Sequence, residues 1–412
     1  MRFKNISSVC KILTIIVFWT ILPVQASPDD FKNSFTCSEC HKGIFDQWSR
    51  SMHALAISDP IFRASYTKAL LSDPKNREYC LDCHAPTTIW TKDFNLTRSI
   101  SIEGVTCSFC HAVNKIDGNN YSINDGKEME GPHGESHSDS QTEAHGTKIS
   151  LLLPKSEFCA GCHEFSLNGV PISETYSEWK EGPYAEEGKQ CQFCHMAPKS
   201  GFEPEKGTQK ENTFGHIWSG GHSGQLLEKS MEMESNIKRT GNKAKVTLNI
   251  TNVNVGHKIP SGFPSRKLIL NFIASDGDGK IIYSDEKTYQ KTLVDQYGNE
   301  IYDFWKAYSI ASDNRIKPKE TRVEVFEFDI PDGTNKLDIR ASMTYQLDAE
   351  IMELSKETMK VEIARINETR LLFEAPVTTP RESPAIGWII TVMVFAVLIR
   401  KMKKSDNGGK TE

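Results

Sequence analysis

Apolar positions along this chain fall into contrasting patterns. From residue 243 onward the period is two. Val246, Leu248 and Ile250 alternate with polar residues, as do Leu268, Leu270 and Phe272. Such alternation marks strands with one buried face. Runs at 280–283, 322–330 and 336–345 continue it, separated by turn formers such as Asp276-Gly277, Gly298-Asn299 and Pro331-Asp332-Gly333. The spacing predicts an Ig-like all-β sandwich over 240–350 with about seven strands. Residues 347–373 are mixed, with a helix expected near 348–358 and an extended segment after it. An amphipathic helix is expected over 225–236. Residues 31–232 keep no sustained period, which predicts short helices joined by long loops.

Two uninterrupted apolar runs stand outside these regions. Residues 12–22 follow Arg2, Lys4 and Lys11 and precede Val24-Gln25-Ala26, the pattern of a secretory signal peptide over 1–26. Residues 385–399 are apolar and are followed by Arg400, Lys401, Lys403 and Lys404. That order predicts a transmembrane helix over 385–399 with a basic cytoplasmic tail at 400–412. The rest of the chain is then expected outside, on the periplasmic or cell-surface side. Residues 375–384 (APVTTPRESP) read as a stiff tether, closing a helix/extended segment and linker over 351–384.

Composition adds the chemistry. The chain has 412 residues, 11 Cys and 12 His, and a net charge of −5. The three basic residues before position 27 leave with the signal, so the remainder is more acidic, which argues against a nucleic-acid partner. Ten of the Cys form five Cys-x-x-Cys pairs, each followed directly by His: Cys37/Cys40–His41, Cys80/Cys83–His84, Cys107/Cys110–His111, Cys159/Cys162–His163 and Cys191/Cys194–His195. Cys-x-x-Cys alone fits a zinc site, a redox dithiol, a disulfide or haem attachment; the following His separates these. Two thiols on one helical turn reach the two vinyl groups of a haem, and the next imidazole faces its iron. With 12 His among 412 residues, a chance His at one position has a probability of about 3%. Five in five assign five covalently bound haem c groups to residues 27–232, with no thiol left for a disulfide there. Cys10 falls within the signal.

The motif His are the proximal ligands. Seven His remain to supply sixth ligands. His53 lies 12 residues past His41, too far round to serve the same haem, and is assigned to a neighbouring one. Residues 114–146 form a polar loop containing His133, His137 and His145, of which His145, just before the apolar stretch 149–153, is the strongest candidate, with His133 also a candidate. His216, in Phe214-Gly-His216-Ile-Trp218, is favoured over His222. His257, pinned in Asn254-Val-Gly-His257-Lys-Ile-Pro-Ser-Gly262, is expected to reach a haem from the sandwich and join the two domains.

The haem region resembles the multihaem cytochromes c of the cytochrome c-554 and hydroxylamine oxidoreductase-like group. The residues that carry the resemblance are Cys37-Ser-Glu-Cys-His41 with Trp48 and Ser51-Met-His53, Ser156-Glu-Phe-Cys-Ala-Gly-Cys-His163, Glu178-Trp179 and Cys191-Gln-Phe-Cys-His-Met196. The loop 256–262 resembles the opening of a β-domain appended to such chains. The group includes electron carriers and enzymes. Its pentahaem nitrite reductases carry a Lys in place of one motif His, and its hydroxylamine oxidoreductases carry eight haems; this chain has five motifs, all ending in His. The resemblance therefore implies electron transfer more than catalysis. A membrane quinol oxidoreductase or other multihaem cytochromes are the expected redox partners. The alternative is a haem-based reductase or oxidase of a small nitrogen or sulfur compound, which needs one five-coordinate haem.

Overall fold

A computed structural model describes residues 31–118, 120–124, 128–132, 145–203, 205 and 210–372. The signal, tether, C-terminal apolar run, His133 and His137 lie outside the described residues.

In the N-terminal region, helices are short and end where the local sequence ends them. Helix α1 (Pro60–Ser72) begins with Asp59, whose carboxylate accepts from the Phe62 N–H at 2.8 Å, and with Pro60 in its first turn. It stops before Asp73-Pro74, since the residue preceding proline disfavours helix. Helix α2 (Asn76–His84) carries the second motif, α3 (Cys107–Ala112) the third, α4 (Ser156–His163) the fourth, and α6 (Cys191–His195) the fifth, while α5 (Thr175–Lys180) lies between the last two. Between the helices lie small strand pairs that the aperiodic sequence did not announce. Val113–Asp117 pairs with Asn120–Ile123, Glu128–Gly131 runs parallel to Gly146–Ile149, Glu164–Leu167 pairs with Val170–Glu174, and Pro198–Glu203 with Lys210–Phe214.

The β-region is a sandwich of two antiparallel sheets. One is ordered β8-β2-β1, from β1 (Met231–Thr240), β2 (Lys243–Asn252) and β8 (Thr321–Asp329). The other is ordered β4-β3-β9-β10, from β3 (Arg266–Asp276), β4 (Ile281–Tyr289), β9 (Lys336–Leu347) and β10 (Lys360–Leu371). A small third sheet, β6-β5-β7, joins β5 (Lys291–Val294), β6 (Glu300–Ile301) and β7 (Ser309–Asp313). The alternating residues point inward as expected: Val246, Leu248, Ile250, Leu268, Leu270 and Phe272 are all fully buried. Phe272 of one sheet stacks on Phe326 of the other at 4.0 Å.

Two expectations are corrected. Residues 225–236 are not one helix: a single turn, Gly224–Leu227, is followed by strand β1. Met231, Met233 and Ile237 fall on one side at period two, and the ladder to β2 outweighs the weak helical pattern. The sandwich also runs past 350, because after helix α7 (Ala349–Ser355) the extended segment becomes β10 along β9.

The two regions share a core. Leu167, Val170 and Ile172 from the Glu164–Glu174 hairpin pack on Leu293 and Ala307 of the β-region. Lys291, its side chain only 1% exposed, crosses the seam and donates to the carbonyls of Pro171 and Ile172 and to Glu174 at 2.7 Å. Lys68 of α1 pairs with Asp303 at 2.7 Å and with Glu350 of α7.

Candidate functional site

The five motifs converge on the interior. Thr106 caps α3 by accepting from the Phe109 N–H, which fixes Cys107, Cys110 and His111 on consecutive turns. Gly104, at φ 75°, lets the chain pass close to residue 53: a Cβ there would lie 2.4 Å from the His53 carbonyl oxygen, which instead accepts from the Val105 N–H at 2.9 Å. The first motif begins in a turn of helix at Ser34–Cys37 and continues into Lys42–Trp48, where the Trp48 indole donates to the Val105 carbonyl at 2.8 Å.

Four motif His each face a second His from elsewhere in the chain. Ring centres are 6.3 Å apart for His41 and His145, 6.3 Å for His111 and His216, 6.4 Å for His163 and His53, and 6.4 Å for His195 and His257. Three of these pairs are close to parallel; His53 and His163 are inclined by 54°. Backbone carbonyls hold one edge of most of the rings. Nδ1 of His111 meets the Glu130 carbonyl, His145 that of Gly146, His195 that of Ser219, His216 that of Phe214 and His257 that of Lys258. An Nδ1–H donating there leaves Nε2 as a lone pair, the tautomer a metal needs. Burial also favours the neutral imidazole. It pushes His257, His216 and His163 down to about 4 and His53 to about 3, helped by neighbouring imidazoles.

These spacings fit a metal between the rings. An imidazole nitrogen binds a metal at about 2.0–2.1 Å, with the ring centre roughly 1.1 Å behind it, so two imidazoles on one metal stand about 6.3 Å apart. A connected cavity of about 1850 Å³ reaches every one of the ten motif thiols, the five motif His and their four facing His. Protein interiors rarely leave voids much larger than a water molecule, and this cavity is lined by attachment chemistry throughout. All ten motif Cys are free of disulfides.

Comparison with known proteins agrees. Residues 36–112 match the family model described as cytochrome c554 and c-prime. A solved structure of a penta-heme cytochrome c552 from Thermochromatium tepidum is similar over 83% of this chain and 100% of that chain, with a TM-score of 0.69 and 24% identity. A glycosyl hydrolase family 2 member from Bacteroides cellulosilyticus matches over 34% of this chain and 14% of that chain, with 14% identity and a TM-score of only 0.20. No curated protein matches.

The chain thus shares the fold of a penta-heme cytochrome c and carries five covalent haem-attachment motifs.

The motif thiols also lie beside one another across motifs: Cys37 beside Cys107, Cys83 and Cys110 beside Cys162, and Cys159 beside Cys191. Numbered by motif, sites 1, 3, 4 and 5 form a line, and site 2 branches from site 4. Sequence order does not contain this arrangement.

Site 2 differs from the others. His84 Nδ1 meets the Ala56 carbonyl at 2.8 Å, so its Nε2 is presented like those of His111 and His195. Among the described residues, however, no second imidazole faces it at the spacing of the four pairs; the Phe62 ring stacks on it at 3.8 Å. His222 lines the cavity and feels Asp59, as His84 does, without pairing to any motif His.

The sequence named His53, His145, His216 and His257 but not their partners. It quoted Trp218 only as a neighbour of His216; the ring stands edge-on to His53 at 4.7 Å as well as to His216 at 5.1 Å.

Proposed function

We propose that the chain is a membrane-anchored, extracytoplasmic pentahaem cytochrome. It would relay electrons between a membrane redox partner, such as a quinol oxidoreductase, and a soluble or extracellular acceptor or donor. When bound, each haem supplies reversible one-electron uptake at an iron whose potential depends on its axial ligands and burial. Ten thiols fix the haem positions, His41, His84, His111, His163 and His195 serve as proximal ligands, and His145, His216, His53 and His257 as sixth ligands. The observation that carries the reading is the combination of four facing His pairs with thiol contacts that link all five attachment sites. Two axial imidazoles leave an iron no room for substrate and favour electron transfer. The signal segment and the C-terminal apolar run support export and anchoring.

The test is stoichiometric reduction of the purified, haem-loaded chain, followed by mixing with an oxidised soluble cytochrome. A relay takes up five electron equivalents per chain and delivers all of them. Fewer equivalents, or electrons that stay trapped, would sink the proposal.

His84 favours a second reading, a reductase or oxidase of nitrite, hydroxylamine or sulfite at site 2. This reading predicts turnover of one of these compounds and a spectral shift of a single haem on adding it. It fails if none alters the spectrum.

A further inference from the structure

His257 faces His195 of site 5 from a loop that the N-terminal region also holds through Glu178. Glu178 of α5 has a side chain only 3% exposed, and its Oε1 lies 2.7 Å from Nη2 of Arg315, which is 2% exposed and belongs to the β-region. The other carboxylate oxygen accepts from the Lys258 N–H at 3.2 Å and from the Ser261 hydroxyl at 2.9 Å. Arg315 in turn donates to the Pro260 carbonyl at 3.2 Å and pairs with Asp313 at 2.8 Å, while Asp313 also holds Lys258. The backbone of Ile259 exchanges hydrogen bonds with Ile316, and the Asn252 amide donates to the His257 carbonyl. Residues 257, 258, 259, 260 and 261 are thus each tied down, and the Glu178–Arg315 pair reaches three of them. The pair spans the seam between the two regions.

We propose that Glu178 and Arg315 are positioning residues for the sixth ligand of the fifth haem. His257 then meets that iron only while the two regions are in register, and separation of the seam opens site 5. A buried pair of this kind contributes little net stability against its desolvation but fixes one arrangement, because Glu178 without Arg315 is a buried unpaired charge and Arg315 without Glu178 keeps only Asp313. The inference rests on reading His257 as a ligand, and the experiment separates the two claims.

The probe is carbon monoxide, which binds ferrous haem only where the sixth position is open. The haem-loaded protein and the variants His257→Ala, Glu178→Ala, Glu178→Gln and Arg315→Lys are reduced and titrated, each checked for five haems per chain. His257→Ala should bind one more carbon monoxide per chain than the parent. Glu178→Ala should do the same, and Glu178→Gln, which keeps an acceptor for Lys258 and Ser261, should open only a fraction of the chains. If Glu178→Ala does not fold, Glu178→Gln and Arg315→Lys decide by the same count. Extra uptake in His257→Ala but parental uptake in every folded Glu178 and Arg315 variant would overturn the positioning role. Parental uptake in His257→Ala would overturn the ligand assignment and the inference with it.

Discussion

Ile172 tests whether the two regions are one mechanical unit. It lies on the hairpin of the haem region, fully buried against Leu293 and Ala307 of the β-region. Replacing it with Ala removes three carbons, a transfer loss of about 2.4 kcal/mol at ~0.8 kcal/mol each. The seam on both sides is clamped by Lys291 and limits collapse of the void, so the total should be about 3 kcal/mol, inside the usual range for such truncations. If both regions unfold together, the cooperative unit is roughly 340 residues, with an unfolding entropy of about 0.7 kcal/mol/K, and the midpoint falls by about 4 °C. A haem region that unfolds alone, at roughly 200 residues, would instead fall by about 7 °C and leave the sandwich unmoved. Circular dichroism in the haem absorption band follows the first region, and the far-ultraviolet strand signal is dominated by the second. The expected result is one coincident transition displaced in both signals. Two separate transitions, with only the haem signal displaced, would refute the shared core.

Three further outcomes follow from the same geometry. His216→Ala should convert the third haem from low-spin to high-spin while the haem count stays at five; an unchanged ferric spectrum would remove His216 as its ligand. Asp313 is partly buried, which works against its charge, but Arg315 and Lys258 hold its carboxyl well below the usual value near 3.8. A depressed carboxylate contributes stability that is present above the unfolded value and lost as pH falls toward the folded one. The melting temperature of the parent should therefore drop more steeply below about pH 4 than that of Asp313→Asn; parallel curves would show that the seam charge does not contribute. Lys291→Met should leave Glu174, which is 28% exposed, to water and keep five haems. Its effect should be a moderate loss of thermal stability with no change in carbon monoxide uptake, and a change in uptake would place Lys291 in the ligand-holding network instead.

The parts legible in the sequence were those fixed by local rules. Cys-x-x-Cys-His is a complete attachment unit within five residues, and the alternation through Val246, Leu248 and Ile250 states which face of β2 is buried before any partner strand is known. The misreading of 225–236 came from a segment whose local pattern fits two periods, with the choice made by β2, a partner outside the window. The segment after 358 read as extended, but not as part of the sandwich: Lys360–Leu371 is largely exposed, and its place is set by pairing to β9. In the site, His53, His145, His216 and His257 stood out by context, but which motif each faces depends on contacts between residues up to about a hundred positions apart. Glu178 stood out only as part of the resemblance and Arg315 not at all, since a buried ion pair looks like two surface charges until the fold brings it together.

The central claim is that His145, His216, His53 and His257 close four of the five haems. The most direct measurement is the electron paramagnetic resonance spectrum of the intact, haem-loaded ferric protein, quantified per chain and followed by carbon monoxide titration of the reduced form. The account predicts at least four low-spin haems and no more than one carbon monoxide bound per chain. Two or more high-spin haems, or two or more carbon monoxide molecules bound by the parent protein, would contradict it.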